Sequence, residues 1–143
     1  YRWYATRKDS PLFPFGFGLS YASTRIGNPQ FSGGTKASVT FSVTNPTART
    51  AVAVPQLYVV LPGGGAPRLV GWSRQTLQAG GKRTVTITAD PRALARWESA
   101  GWHVKGGTYT LNLATDAQTT VATGAVRLAD QRLASARAAF DTP

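Results

Sequence analysis

Lys36-Ala-Ser-Val-Thr-Phe-Ser-Val-Thr-Asn45 decides the fold class. Val39, Phe41 and Val43 fall on one side of an extended chain, and Thr40, Ser42 and Thr44 on the other. This period of two in β-forming residues marks a strand with one buried face. Asn45-Pro46 ends it with a turn signal. The same grammar repeats outward. Residues 51–61 form a second candidate, nearly all apolar through Val59-Val60-Leu61, with Pro55 placing part of it at an edge or a bulge because proline cannot donate to a ladder. Pro62-Gly-Gly-Gly-Ala-Pro67 reads as a flexible loop and residues 69–77 as a third strand. Gln78-Ala-Gly-Gly81 is a turn, and residues 82–89 are a fourth strand with Val85 and Ile87 inward. Asp90-Pro91 opens a short helical turn over 92–97, with Asp90 as N-cap and Pro91 at the first helical position. Residues 108–114 alternate again, with Tyr109, Leu111 and Leu113 on one face, and 119–128 form the last strand. About seven short strands at this spacing predict an all-β, antiparallel immunoglobulin-like sandwich. Tyr109 has two readings: a tyrosine corner, whose hydroxyl bonds back to the chain, or an ordinary core residue. In the tail, 129–143, the stripe Ala129, Leu133, Ala136, Phe140 suggests a weak amphipathic helix, against a frayed end.

The 143 residues amount to one domain, long enough to bury a core without a staple. There is no cysteine, which removes disulfides and Cys-ligated metals. There is also no methionine, so a chain beginning at Tyr1 reads as processed or cut from something longer. Sixteen Lys and Arg against six Asp and Glu give a formal charge of +10. The arginines are scattered, with no basic run and no nucleic-acid motif, so nucleic acid is not an expected partner. No apolar stretch approaches the ~18 residues of a membrane span, so no membrane partner is expected either.

Tyr1-Arg-Trp-Tyr4 and Pro11-Leu-Phe-Pro-Phe-Gly-Phe-Gly-Leu-Ser-Tyr21 stand apart. Tyr1, Trp3, Tyr4, Phe13, Phe15, Phe17 and Tyr21 crowd this segment, and no periodicity lets it bury them by itself. It therefore needs another surface, and these seven aromatics are the docking candidates. Gly16 and Gly18 let the backbone turn closely between the rings.

The two quoted pieces resemble the junction that precedes the C-terminal fibronectin type III-like domain of glycoside hydrolase family 3 enzymes. Gln56-Leu-Tyr-Val59 is similar to that domain's third-strand motif. Leu77-Gln-Ala-Gly-Gly81 is similar to its Leu-x-Pro-Gly turn, with Ala79 in place of Pro. Gly106-Gly-Thr-Tyr109 is similar to its Pro-Gly-x-Tyr motif, with Gly106 in place of Pro. The resemblance covers about residues 1–128. It implies a junction arm over 1–21, a fibronectin type III-like sandwich over 22–128 and a tail over 129–143. The implied parent is a periplasmic or secreted β-glucosidase or β-xylosidase, whose nucleophilic Asp and acid/base Glu lie upstream. The implied partners are therefore its catalytic domains, and the implied role is structural.

The residues themselves supply little chemistry. Glycoside hydrolysis needs two carboxyl groups across the scissile bond, about 5–5.5 Å apart for retention and about 6.5–9.5 Å for inversion. Asp90 reads as a cap, Asp116 as a turn residue, and Asp130 and Asp141 lie in the tail. Asp9 and Glu98 have no partner that sequence brings to them. The single histidine, His103, has no ligand spacing for a metal and no nucleophile elbow, so it reads as a surface or loop residue. No catalytic residue, metal or cofactor is assigned. Trp72, Trp97 and Trp102, with Arg68 and also Arg74 and Arg96, are candidates for carbohydrate contact, against the reading that the tryptophans fill the core or dock on missing domains. A module for polysaccharide or an acidic polymer, and a contact between copies of the chain, are the alternatives to the structural role.

Overall fold

A computed structural model of the chain describes residues 1–7, 9–20, 22–99 and 101–134. In chain order the elements are α1 (Arg2–Arg7), β1 (Arg25–Ser32), β2 (Ser38–Thr44), β3 (Ala51–Ala53), β4 (Gln56–Val60), β5 (Arg68–Trp72), β6 (Gln75–Leu77), β7 (Lys82–Thr88), α2 (Pro91–Leu94), β8 (Arg96–Glu98), β9 (Gly101–Val104), β10 (Gly107–Ala114), β11 (Thr120–Leu128) and β12 (Gln131–Arg132). They build a three-stranded sheet, β1-β2-β7, against a four-stranded sheet, β11-β10-β4-β5. The pairings between these strands are antiparallel.

The alternation of β2 is what fills the space between the sheets. Val39, Phe41 and Val43 are buried, while Thr40, Ser42 and Thr44 are partly exposed. Across the ladder Val39 faces Ile87 and Phe41 faces Val85. The opposite layer contributes Leu57 and Val59 from β4, paired with Leu113 and Leu111 from β10. Each such side chain, fully covered, contributes about 1.5–3 kcal/mol of apolar burial.

Pro55 acts differently from expectation. It is buried at the point where the predicted strand 51–61 changes sheets: β3 pairs with β6, and β4 with β5. The predicted strand 69–77 bends at the matching place, where the Ser73 N–H donates to the Pro55 carbonyl at 3.1 Å. The hairpin thus folds over as a unit, and the missing proline donor sits where no ladder passes.

Two strand regions were not expected. β1 runs through Gly27-Asn28-Pro29 as an edge strand with a bulge, its register shifting between Gly27 and Gln30. Asn28 takes φ 53°, a left-handed conformation asparagine tolerates, and Pro29 lies where an edge can spare its donor. The helical turn predicted over 92–97 ends early. Asp90 caps it as expected, accepting from Arg92 N–H at 2.9 Å, but α2 stops at Leu94. Residues 96–98 become β8, because Trp97 pairs across the hairpin with Trp102, the rings edge to face at 5.5 Å. The tail also differs from its helical stripe: Gln131–Arg132 is a strand on β9, and Ala136 and Phe140 lie outside the described residues.

Candidate functional site

The first candidate surface is the aromatic arm, and short-range chemistry fixes its shape. Pro14-Phe15-Gly16-Phe17 closes a β-turn through Phe17 N–H to the Pro14 carbonyl at 3.0 Å. Gly16 takes φ 88° at the third position, as a type II turn requires. A Cβ there would run into the Gln56 side-chain amide. Gly18 has neither a positive φ nor a close neighbour, so only one of the two glycines is needed for the turn. Ala117 N–H donates to the Phe15 carbonyl at 2.8 Å, and Leu69 N–H to the Tyr1 hydroxyl at 2.8 Å. Tyr1 also lies against Phe15 and Tyr58, with centroids 5.5 and 5.7 Å apart. Tyr58, beneath, donates to Gln56 at 2.6 Å, and burial pushes its hydroxyl up to about 12.

This attachment leaves the outer face of the arm open. Phe13 is 67% exposed, Phe15 54%, Phe17 46% and Trp3 57%, and Leu12 and Leu19 stand almost free. Phe13 and Phe17 pack on each other at 5.4 Å, Trp3 and Tyr4 at 5.1 Å, and the Arg7 guanidinium sits 4.6 Å over the Trp3 ring. The first residues are not extended: 2–7 form α1, which buries none of its side chains. Tyr21 lies outside the described residues.

The second candidate surface holds four of the six residues named for carbohydrate contact, Arg68, Arg96, Trp97 and Trp102. They line one open groove of about 510 Å³, joined by Arg2 and Arg92. Trp97 and Trp102 remain 63% and 40% exposed, so neither is a core residue. Arg68 donates weakly to the Ala93 and Ala95 carbonyls at the end of α2. Burial, and then the neighbouring guanidinium groups of Arg2 and Arg96, hold its pKa below the ordinary arginine value. Trp72 is elsewhere, beside Phe15 and Val54 in a pocket under the arm, and Arg74 is exposed outside the groove.

The structure also brings together a cluster that sequence spacing did not reveal. His103 Nδ1 meets Glu98 Oε2, and Nε2 meets Asp130 Oδ2, each at 2.9 Å. Both ring nitrogens face acceptors, so the ring is satisfied only as imidazolium. The hydrogen bond to Asp130, then that to Glu98, raise the His103 pKa. The Gly106 N–H, then His103, lower that of Asp130. The cluster clips the β8–β9 hairpin to the segment after β11. The imidazole fills the space between the two carboxylates, and both its nitrogens are engaged. Among the described residues no group of three or more His, Cys, Asp or Glu converges as metal ligands. Asp116 is a turn residue as read, its carboxylate accepting from Gln118 and Thr119 N–H. Tyr109 behaves as a tyrosine corner: nearly fully buried, it donates to the Lys105 carbonyl at 2.6 Å.

Comparison with known proteins agrees with this architecture. Residues 53–117 match the family model of the fibronectin type III-like domain. The chain is 35% identical over 136 residues to an exo-α-(1→6)-L-arabinopyranosidase of Bifidobacterium longum, covering 90% of this chain and 18% of that protein. It is 36% identical over 127 residues to a β-glucosidase of Rhizobium radiobacter, covering 82% and 16%. The solved family 3 β-glucosidase of Bifidobacterium adolescentis superposes with a TM-score of 0.82 at 34% identity, covering 92% of this chain and 21% of that one. The chain thus spans less than a fifth of the length of these curated relatives.

Proposed function

We propose, for a chain that belongs to the fibronectin type III-like domains of glycoside hydrolase family 3 enzymes, a non-catalytic docking role in a β-glycoside-hydrolysing parent. The observation that carries this reading is the arm. It is tied to the sandwich by hydrogen bonds from the Ala117 and Leu69 N–H groups on one side and presents Phe13, Phe15 and Phe17 on the other. A row of exposed aromatics of this size is what a domain interface leaves behind when its partner is absent. The partner is the catalytic part of the parent, because the relatives are five to six times longer than the segment that matches. The carboxylates support the same reading: Asp90 and Asp116 are committed to backbone N–H groups, and Glu98 and Asp130 to His103.

The test is an assay of the 143-residue chain alone on aryl β-glucosides and β-xylosides, beside the full-length parent. The chain is expected to give no turnover above background. Turnover that disappears on replacing Glu98 or Asp130 would overturn the reading.

A further inference from the structure

The groove between α1, β5 and the β8–β9 hairpin combines two features that neither the fold nor the docking role requires. Arg2, Arg68, Arg92 and Arg96 converge on it from separate elements, and among the described residues no Asp or Glu lines it. Glu98, the acid on the same hairpin, is turned to His103. Gathering four like charges around one groove costs free energy unless an anion offsets it. Beside the guanidinium groups stand Trp97 and Trp102, set edge to face by their cross-strand register, with Trp97 the more exposed of the two. Guanidinium is the donor best matched to a carboxylate, through two parallel N–H bonds. A fixed, exposed indole offers a flat apolar face on which the C–H side of a pyranose ring can rest.

We infer that this groove is a subsite for an acidic oligosaccharide, a pyranose carrying a ring carboxylate, with Arg92 and Arg96 holding the carboxylate and Trp97 supporting the sugar ring. Arg68, anchored to the end of α2, fixes the floor and adds positive potential. The neutral glycosides of the docking reading are not the ligand class here, because a neutral sugar brings no negative charge to offset the four guanidinium groups that line the groove. The site uses side chains separate from the Phe13–Phe17 face, so its failure leaves the docking role untouched.

Calorimetric titration of the chain at low ionic strength tests this with four probes: trigalacturonate, a neutral trisaccharide, galacturonate monomer and inorganic phosphate. Trigalacturonate is expected to bind saturably and at least tenfold more tightly than each of the others. Combined Arg92→Gln and Arg96→Gln substitution is expected to weaken it tenfold or more. Trp97→Ala should weaken it severalfold, with the far-ultraviolet circular dichroism of both variants unchanged. Equal binding of the neutral sugar, phosphate binding as tightly as trigalacturonate, or indifference to Trp97→Ala would each overturn the assignment, as would no binding of trigalacturonate at all. If a variant loses its fold, the phosphate and neutral-sugar comparisons on the unaltered chain still decide.

Discussion

Replacing Phe13 and Phe17 by serine separates docking from ordinary stability. The two rings stack on each other at 5.4 Å and are 67% and 46% exposed. Taking ~200 Å² for a phenylalanine side chain, roughly 130 and 90 Å² stay open to water. Covering that area is worth about 3 and 2 kcal/mol at ~25 cal/mol/Å², an upper bound because the contact also orders side chains. In the chain alone this open area is not covered, and the double variant forfeits only the mutual contact of the rings and the roughly 70 and 110 Å² already buried within the chain, a loss common to both proteins. In the full-length parent it forfeits the covered area as well, so about 3–5 kcal/mol of coupling between the sandwich and its neighbour. Differential scanning calorimetry of both proteins reads the difference. The chain alone should shift by a few degrees, while in the parent the sandwich should melt as a separate, earlier transition. Equal shifts in the two proteins, or an unaltered single transition in the parent, would refute the reasoning.

Three further outcomes are expected. Tyr109→Phe removes the donor to the Lys105 carbonyl and should cost about 1–2 kcal/mol in urea unfolding without changing the m-value. Asn45→Ala should cost more, about 3 kcal/mol. The fully buried Asn45 amide donates to the Arg49, Leu77 and Gln78 carbonyls, and its oxygen accepts from Thr47, so several groups lose their partner together. The His103 clip makes stability depend on pH. Its raised pKa means the contribution is full below about 6.5, the ordinary histidine value, and is lost as pH rises through the folded-state value. Asp130, with a lowered pKa, adds a contribution present above its ordinary range near 4 and lost as pH falls further. Thermal melts from pH 5 to 9 should decline above about 6.5, and His103→Gln should flatten that decline; an unchanged slope in the variant counts against the clip.

What could be read from residue order was local. The alternation of residues 38–44, the Asp90-Pro91 start of α2 and the placement of Tyr109 each depend on neighbours within a few positions, and the structure keeps them. What escaped was set at a distance or by competition. β1 was hidden because Gly27-Asn28-Pro29 has turn chemistry that an edge bulge also accepts. β8 and β9 are too short to show a period, and their pairing is visible only once Trp97 and Trp102 meet. Asp130 reaches His103 from 27 positions away, across two intervening strands, so no spacing rule reports it. The Arg–Trp groove was half legible. Arg68, Trp97 and Trp102 were named from residue type, but Arg2 and Arg92 join them only through the way α1 and α2 lie on the sandwich, and Trp72 proves to belong to the arm.

The hydrogen bonds that tie the arm down have a practical corollary. The amides of Leu69 and Ala117 belong to the sandwich, yet their acceptors, the Tyr1 hydroxyl and the Phe15 carbonyl, belong to the arm. Their deuterium uptake therefore tracks the lifting of the arm and not the opening of the sheets. Two peptide positions far apart in sequence become a paired gauge of attachment. Compared between the chain alone and its parent, they would give the free energy with which the neighbouring domain presses the arm into place, with no label or substitution on the arm itself.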